Sequence, residues 1–469
     1  MGDDLADRRT FLKFGAALGP AALAAQRSGP NRPYASRQGQ PNIILIYADD
    51  LGYGDLGCYG SDLATPNLDR MAAQGVRFQQ CGSANPVCSP ARAALLTGRY
   101  PTRVGVPDVL QPDSTTGLSL SETTMADMLK AEGYATMCIG KWHLGSVPQY
   151  MPTQRGFDAF YGLPYSNDMS PLPLIQNTTV IEQPAILSTL TQRYTGQAVS
   201  FITSSKDRPF FLYMPHTFPH IPLAASPAFQ GTSGFGLFGD VVEEIDWSVG
   251  QVLGAVQNNG LDDNTLVMFS SDHGPWFLGS AGRLHGRKGE TWEGGVRVPF
   301  IARFPGRIPA GRVATGFAST MDILPTVARL CGATLPSNPL DGIDIWPLMA
   351  GERDTIDRDA FLYFDSVNLQ CARLGPWKLH VTRYNTPPWI PIPANWRQNM
   401  LLATSELYNL EADPEESYDA ASDHPDIVAS IRARMNALIL TFPDNVQSFW
   451  NNITSTAGTY CPSGGWPCA

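Results

Sequence analysis

The sequence predicts an α/β protein: a large mixed, mostly parallel sheet sandwiched by helices, followed by a smaller C-terminal region of antiparallel sheet plus helix. Three observations carry this. Short apolar runs within residues 41–50, 135–145, 209–214 and 266–274 mostly end on charged or polar groups, the pattern of strands buried on both faces. Stretches with helix-start signals lie between them, such as Thr65 followed by Pro66. After Arg358 the pattern changes to alternation around Phe361, Cys371, Trp377 and Glu406, which fits antiparallel strands. A chain of 469 residues has room for two or three domains.

The first 25 residues read as a leader. Asp7-Arg8-Arg9-Thr10-Phe11-Leu12-Lys13 matches a twin-arginine export motif, and residues 14–25 are apolar, ending in Ala22-Leu23-Ala24. Such a run falls short of the roughly 20 residues that span a bilayer, so a cleaved leader, and not a membrane span, is expected. Residues 26–40 are polar and rich in Arg, Pro and Gly, a disordered linker to the mature chain. Export of this kind implies a bacterial periplasmic or secreted protein that folds before it crosses.

Hydrophobic residues at 43% and charged ones at 16% describe an ordinary globular protein, and the formal net charge of -10 argues against a nucleic-acid partner. An anionic substrate must then be held by a local basic pocket against the global field. The eight cysteines are too few for a disulfide scaffold; Cys461 and Cys468 would close a short loop in the Gly/Pro-rich tail, and no pair has zinc spacing.

In chain order, the first apolar strand delivers Asp49 and Asp50 to its carboxyl end, the edge of an open sheet where ligands bind. Adjacent buried carboxylates need a cation, and oxygen ligands point to Ca²⁺, with Mg²⁺ also possible, ahead of zinc; a solvated Asp-Asp turn is the plainer alternative. Residues 52–57 form a loop without a nucleotide fingerprint, and Thr65 caps a helix with Pro66 in its first turn. Pro86 and Pro90 keep the backbone around Cys88 out of a helix that then begins after Arg92. Cys88 would thus sit at a helix N-terminus that favours anions, and Arg92 adds a guanidinium fork fitted to a tetrahedral oxyanion. A lone cysteine is otherwise a small core residue.

After a helix at residues 121–132, the second strand ends in Lys141 and His143, two apart and so on one face of an extended chain. Ser166 lies in a Pro-Tyr-Ser-Asn turn, His216 and His220 follow the third strand, and Asp272 and His273 end the fourth. Lys288, Glu293 and Arg297 share one Gly-rich stretch, in which Glu293 and Arg297 would brace the loop by ion pairing. Residues 387–393 are a Pro/Trp-rich insert whose Trp389, with Trp396 just beyond it, would either stack on a sugar or pin the insert. A helix over residues 425–442 has Ile427, Ile431, Met435 and Leu438 at core spacing.

The Cys88-Ser-Pro90-Ala-Arg92 pattern with its Leu-Thr-Gly-Arg tail, the run Ala-Asp-Asp-Leu-Gly-Tyr-Gly-Asp, Gly140-Lys141-Trp142-His143-Leu144-Gly145 and the Glu293-Gly-Gly-Val-Arg297 stretch together resemble the type I, formylglycine-dependent sulfatases. The likeness is greatest to the arylsulfatase A and N-acetylgalactosamine-6-sulfatase branch and extends over residues 41–442. It implies an alkaline-phosphatase-like fold with a catalytic domain at 41–351 and a C-terminal subdomain at 352–469. It also implies conversion of Cys88 to formylglycine by a maturing enzyme, and hydrolysis of a sulfate monoester of a galactose-type sugar or an aryl alcohol. By the same resemblance Asp49, Asp50, Asp272, His273 and position 88 hold the cation, while Arg92, Lys141 and Lys288 bind sulfate oxygens. His143 and Ser166 contact the aldehyde hydrate, and His220 lies on the leaving-group side. Many members carry Asn where this chain has His273, a softer ligand than calcium prefers; His273 is either a ligand or a support behind a bridging water. Two rival readings are a phosphomonoester or phosphonate-ester hydrolase of the same superfamily and a catalytically silent sulfoglycan-binding protein.

Overall fold

The computed structural model describes residues 39–455 except 388, 394 and 395; the leader, nearly all of the linker and the Cys461–Cys468 pair lie outside the described residues. The chain opens with β1 (Asn42–Ala48), α1 (Pro66–Ala73), β2 (Val76–Phe78), β3 (Cys81–Gly82), α2 (Cys88–Thr97) and α3 (Met125–Ala131). Next come β4 (Ala135–Lys141), β5 (Ala159–Leu163), β6 (Leu174–Gln176), β7 (Thr179–Glu182), α4 (Leu190–Ser205), β8 (Phe210–Pro215) and α5 (Gly236–Asn258). They are followed by β9 (Thr265–Ser271), α6 (Glu293–Val296), β10 (Phe300–Arg303), β11 (Arg312–Ala314), β12 (Ala318–Ser319), α7 (Ile323–Cys331) and α8 (Trp346–Met349). The C-terminal part holds β13 (Phe361–Asp365), β14 (Asn368–Leu374), β15 (Trp377–Tyr384), β16 (Asn399–Asn409), α9 (Pro425–Ile439) and α10 (Asp444–Ser455).

Among the described residues the main sheet has ten strands in the order β11-β2-β10-β9-β1-β8-β4-β5-β6-β7. Its centre is parallel, with β1 between β8 and β9, while β10 and the β6–β7 hairpin run antiparallel. Because β1 is covered on both faces, its apolar residues divide by alternation. Ile43, Leu45 and Tyr47 pack with residues of α2, α3 and α7; Ile44, Ile46 and Ala48 pack with α1, α4 and α5. The registers of Tyr47 with Pro215 and Ala48 with Ser271 bring the carboxyl ends of β1, β8 and β9 level. Their following residues therefore emerge at one edge. A side chain on Gly140 would meet the Pro215 carbonyl at 1.8 Å, so glycine is what lets β4 close on β8.

The second, four-stranded sheet is antiparallel, β13-β14-β15-β16. One of its faces joins α9 and α10 in a core that also takes in Ala84, Ala94, Tyr100 and Met321 of the main body. Each fully buried Phe or Leu there contributes about 1.5–3 kcal/mol, which seats this sheet directly behind α2.

Several local expectations need correction. The helix after Pro86 begins at Cys88 itself, with Val87 as its extended cap; Pro90 fits inside the first turn, where its missing N–H would have had no partner. Thr65 occupies the cap position of α1 without a side-chain cap bond, its hydroxyl being turned to Asp69 at 3.0 Å. The helix expected over residues 121–132 spans Met125–Ala131, because the Thr124–Asp127 capping box fixes its start. The last core helix stops at Ile439, and the strand expected at Glu406 begins at Asn399. Finally, β4 ends at Lys141, and His143 takes a left-handed φ of 60°, so a turn and not strand alternation aims its ring.

Candidate active site

All ten residues of α2 are buried. A helix buried on every side must partner its one charged side chain, and Arg92 does so through both terminal nitrogens, its Nε alone lacking a partner. Its Nη2 lies 3.1 Å from both Asp49 Oδ2 and Asp272 Oδ2, and its Nη1 donates to the Lys141 carbonyl at 2.8 Å. The fork thus ties α2 to the ends of β1, β4 and β9. Cys88 at the start of the helix places Sγ 3.8 Å from Asp49 Oδ1. In the structure it is an unmodified thiol, and Sγ stands in for the oxygens that a formylglycine hydrate would carry. Burial pushes that thiol up, but Lys141 and Lys288 outweigh it and bring its pKa down to about 6.

Around the cysteine the carboxylates are matched by cations. Lys141 Nζ lies 2.5 Å from Asp49 Oδ2 and donates to Ser166 Oγ at 3.0 Å. Lys288 Nζ grips both oxygens of Asp50 at 2.7 and 2.9 Å. Burial opposes ionisation of Asp49, yet Lys141 and Arg92 hold it well below the usual carboxylate range. Asp272 goes the other way: burial, with the neighbouring Asp49 charge, lifts it to about 6 against the pull of His273 and Arg92. Asp50, opposed by burial, is lowered mainly by Lys288.

The histidines are oriented by carbonyls, which can only accept and so fix which nitrogen carries hydrogen. His143 Nε2 donates to the Leu110 carbonyl at 2.9 Å, leaving Nδ1 buried without a partner. Burial, then Lys141 and Arg92, keep this imidazole well below its usual pKa, so it is neutral and Nδ1 is a free base. His273 Nδ1 donates to the Gly274 carbonyl at 2.9 Å, turning Nε2 toward Asp50 and Asp272 at 3.4 and 3.5 Å. His220 Nδ1 donates to the Ile221 carbonyl at 2.6 Å, with Nε2 3.5 Å from Ser166 Oγ and 3.9 Å from Asp50 Oδ2. His216 is buried behind these groups, 6.5 Å from the Tyr194 ring.

Asp49, Asp50, Cys88, Arg92, Lys141, His143, Ser166, His220, Asp272, His273 and Lys288 therefore gather at one edge of the sheet, but not all reach the same space. A cavity of about 500 Å³ is lined by Cys88, His143, Ser166, His220 and Lys288. Arg92 and Lys141 are fully buried behind it. The ligand atoms of Asp49, Cys88, Asp272 and His273 lie within 4.8 Å of one another, as do those of Asp49, Asp50, Cys88 and His220. This oxygen-rich set fits a hard divalent cation. Three carboxylates balanced by three basic side chains would then carry a surplus of positive charge, which suits an anionic ester. Sequence reasoning missed the rest of the cavity lining, Val109, Gln111, Pro112 and residues 168–170. No motif marks Val109 or Gln111, whereas Asp168 lay two residues past Ser166.

The geometry defines a class, an α/β protein with a metal-type carboxylate cluster and basic groups suited to an anionic ester, and comparison with known proteins narrows it. Residues 41–333 match the family model described as Sulfatase. The chain is 39% identical to human arylsulfatase A over 458 residues, covering 87% of this chain and 90% of that one. It is 42% identical to N-acetylgalactosamine-6-sulfatase of the dog over 374 residues, 72% of this chain and 71% of that one. A solved 6S-sulfatase structure from Bacteroides thetaiotaomicron, described with the metabolism of multiple glycosaminoglycans, superimposes with a TM-score of 0.76 at 29% identity, covering 85% of this chain and 99% of that one. The chain belongs to the sulfatase family and is a sulfuric ester hydrolase.

Proposed function

We propose that this sulfatase cleaves sulfate monoesters of a galactose- or N-acetylgalactosamine-type saccharide, accepting aryl sulfates as well, through formylglycine at position 88. The observation that carries the reading is the placement of Cys88: first residue of α2, 3.8 Å from Asp49, in one cavity with His143, Ser166, His220 and Lys288. Saccharide relatives among the similar proteins support the sugar.

One hydroxyl of the aldehyde hydrate gives its proton to Asp272 and attacks sulfur in line; the sulfur bond to the alcohol oxygen breaks, and the alcohol leaves with a proton from His220 or Lys288, a general-acid contribution of roughly 10²- to 10⁴-fold. His143 Nδ1 takes the proton of the second hydroxyl, so that sulfate is expelled and the aldehyde returns. Lys288 and Ser166 face the sulfate oxygens from the cavity wall, while Arg92 and Lys141, buried behind it, hold the carboxylates in place. A Ca²⁺ or Mg²⁺ ion held by Asp49, Asp50, Asp272 and His273 would supply Lewis-acid stabilisation of the developing charge.

Conversion of Cys88 must precede folding, since the residue is 3% exposed inside a helix. With a twin-arginine leader at residues 1–25 the maturing enzyme acts in the cytoplasm and the folded product is exported to the periplasm or beyond. Among the described residues no helix is long and apolar enough to cross a membrane.

Peptide mass spectrometry of the Cys88 fragment, paired with initial rates on 4-nitrophenyl sulfate and 4-nitrophenyl phosphate, tests the reading. Formylglycine, a sulfate preference of orders of magnitude and loss of that activity in Cys88→Ala are expected. A preference for phosphate, or full activity from an unmodified thiol, would sink it.

A further inference from the structure

Close to Lys288 lie aromatic side chains that the chemistry above does not use. Trp276 and Phe277, just after the Asp272-His273 pair, meet Trp389 of the C-terminal insert. The ring centroids lie 5.0 Å (Trp276–Phe277), 6.0 Å (Trp276–Trp389) and 5.4 Å (Phe277–Trp389) apart, each pair edge to face. Aromatic rings that only pin an insert should be covered, because burial is what stabilises them. Here Phe277 is 52% exposed, and neighbouring Leu278 and Ile390 are 57% and 42% exposed. An apolar cluster left open beside a catalytic cavity marks a binding surface.

The cluster is continuous with the reacting centre. Lys288 Nζ, on Asp50 at 2.7 Å, is 5.9 Å from the Trp276 ring centroid, and the Lys288 N–H donates to the Pro275 carbonyl at 3.1 Å. Next to it Arg287 sets its guanidinium 4.5 Å over the Phe277 ring. A group bonded to the ester oxygen beside Lys288 therefore meets the aromatic wall within about one ring width, with Arg287 at its rim as a hydrogen-bond donor. Apolar ring faces combined with rim donors match a pyranose, whose C–H face stacks while its hydroxyls seek donors.

We propose that Trp276, Phe277 and Trp389 form the subsite that holds the pyranose ring of the departing alcohol, so that the C-terminal insert selects saccharide over simple aryl sulfates. This rests on the reading of Lys288 as the group nearest the bridging oxygen. The measurement is the ratio of kcat/KM on N-acetylgalactosamine 6-sulfate to kcat/KM on 4-nitrophenyl sulfate, a ratio that partial misfolding leaves unmoved. Phe277→Ala and Trp389→Ala should each lower it by about tenfold, while Phe277→Tyr and Trp389→Phe keep it within about threefold. An unchanged ratio in both alanine variants overturns the proposal. So does a wild-type enzyme that hydrolyses nitrophenyl sulfate and none of a panel of sulfated monosaccharides, a result that leaves the sulfatase reading standing. Failure of that reading looks different: protein with confirmed formylglycine would cleave neither substrate, and the subsite would fall with it.

Discussion

Arg92 shows how the contacts a residue makes in the fold can differ from those its chemistry first indicates. Its fork suits a sulfate, yet in the fold it is spent on Asp49, Asp272 and the Lys141 carbonyl. Burial lowers its pKa and the two carboxylates more than restore it, so the charge is permanent. A lysine would keep that charge but could not span three acceptors lying in different directions. Arg92→Lys is accordingly expected to lower kcat by on the order of 10²-fold and to raise the concentration of divalent ion needed for half-maximal activity. A kcat within a factor of about three of wild type would show that the fork is not what positions the carboxylates. His143 makes a similar point. Its Nδ1 is free because the Leu110 carbonyl takes Nε2–H, and Leu110 belongs to no motif.

At the scale of elements, the stretch 285–297 is strapped from several sides. Gly289 N–H donates to the Pro86 carbonyl at 2.9 Å and Gly274 N–H to the Gly295 carbonyl at 2.8 Å. Glu293 N–H donates to Glu416 Oε2 at 2.6 Å, and Arg297 Nε to Glu293 Oε2 at 2.6 Å. Lys378 of β15 sits between Glu293 and Glu416 at 3.0 and 3.2 Å, and Trp292 stacks between His285 and His380. Burial opposes both carboxylates, but Lys378 holds each below the ordinary range. Their stabilising contribution is therefore present above about pH 4.5 and lost as pH falls through the depressed folded values. Lys378→Met leaves two buried acids short of a partner and should destabilise the protein by about 3–5 kcal/mol at neutral pH. The deficit should shrink toward about pH 5 as those acids protonate, since their folded pKa values then exceed the unfolded ones. Urea unfolding at the two pH values measures it, and a constant deficit would remove the cluster from this account. The strands that deliver the site were legible because strands buried on both faces read as apolar runs, mostly ending in charged or polar groups. Lys378 and His380 were not. Alternation in β15 separates them from Leu379 and Val381, but it cannot reveal that the polar face is also covered, and all four are buried. The mostly exposed edge strand β7 left no buried apolar run to notice.

Across the whole molecule two fields compete. The chain carries a formal charge of -10, while the cavity gathers Lys288, with Lys141 and Arg92 close behind. A substrate with one sulfate feels mainly the pocket once it arrives, because exposed charges are screened beyond a Debye length of about 10 Å at 0.1 M salt. A chain of several sulfates cannot place all of them in the pocket, and the remainder feels the net charge of -10 carried by the chain as a whole. Raising ionic strength from roughly 10 to 100 mM should therefore increase kcat/KM several-fold for a polysulfated oligosaccharide. For a monosulfated sugar the same change should move it by less than about twofold, since steering and repulsion nearly cancel. Initial rates at low substrate over that range give both slopes directly. If the polysulfated slope falls with salt instead, the basic pocket governs encounter and the net charge of the chain does not. The preferred substrate would then be long and densely sulfated, and not the short ester that a small cavity lined by His143, Ser166, His220 and Lys288 accommodates.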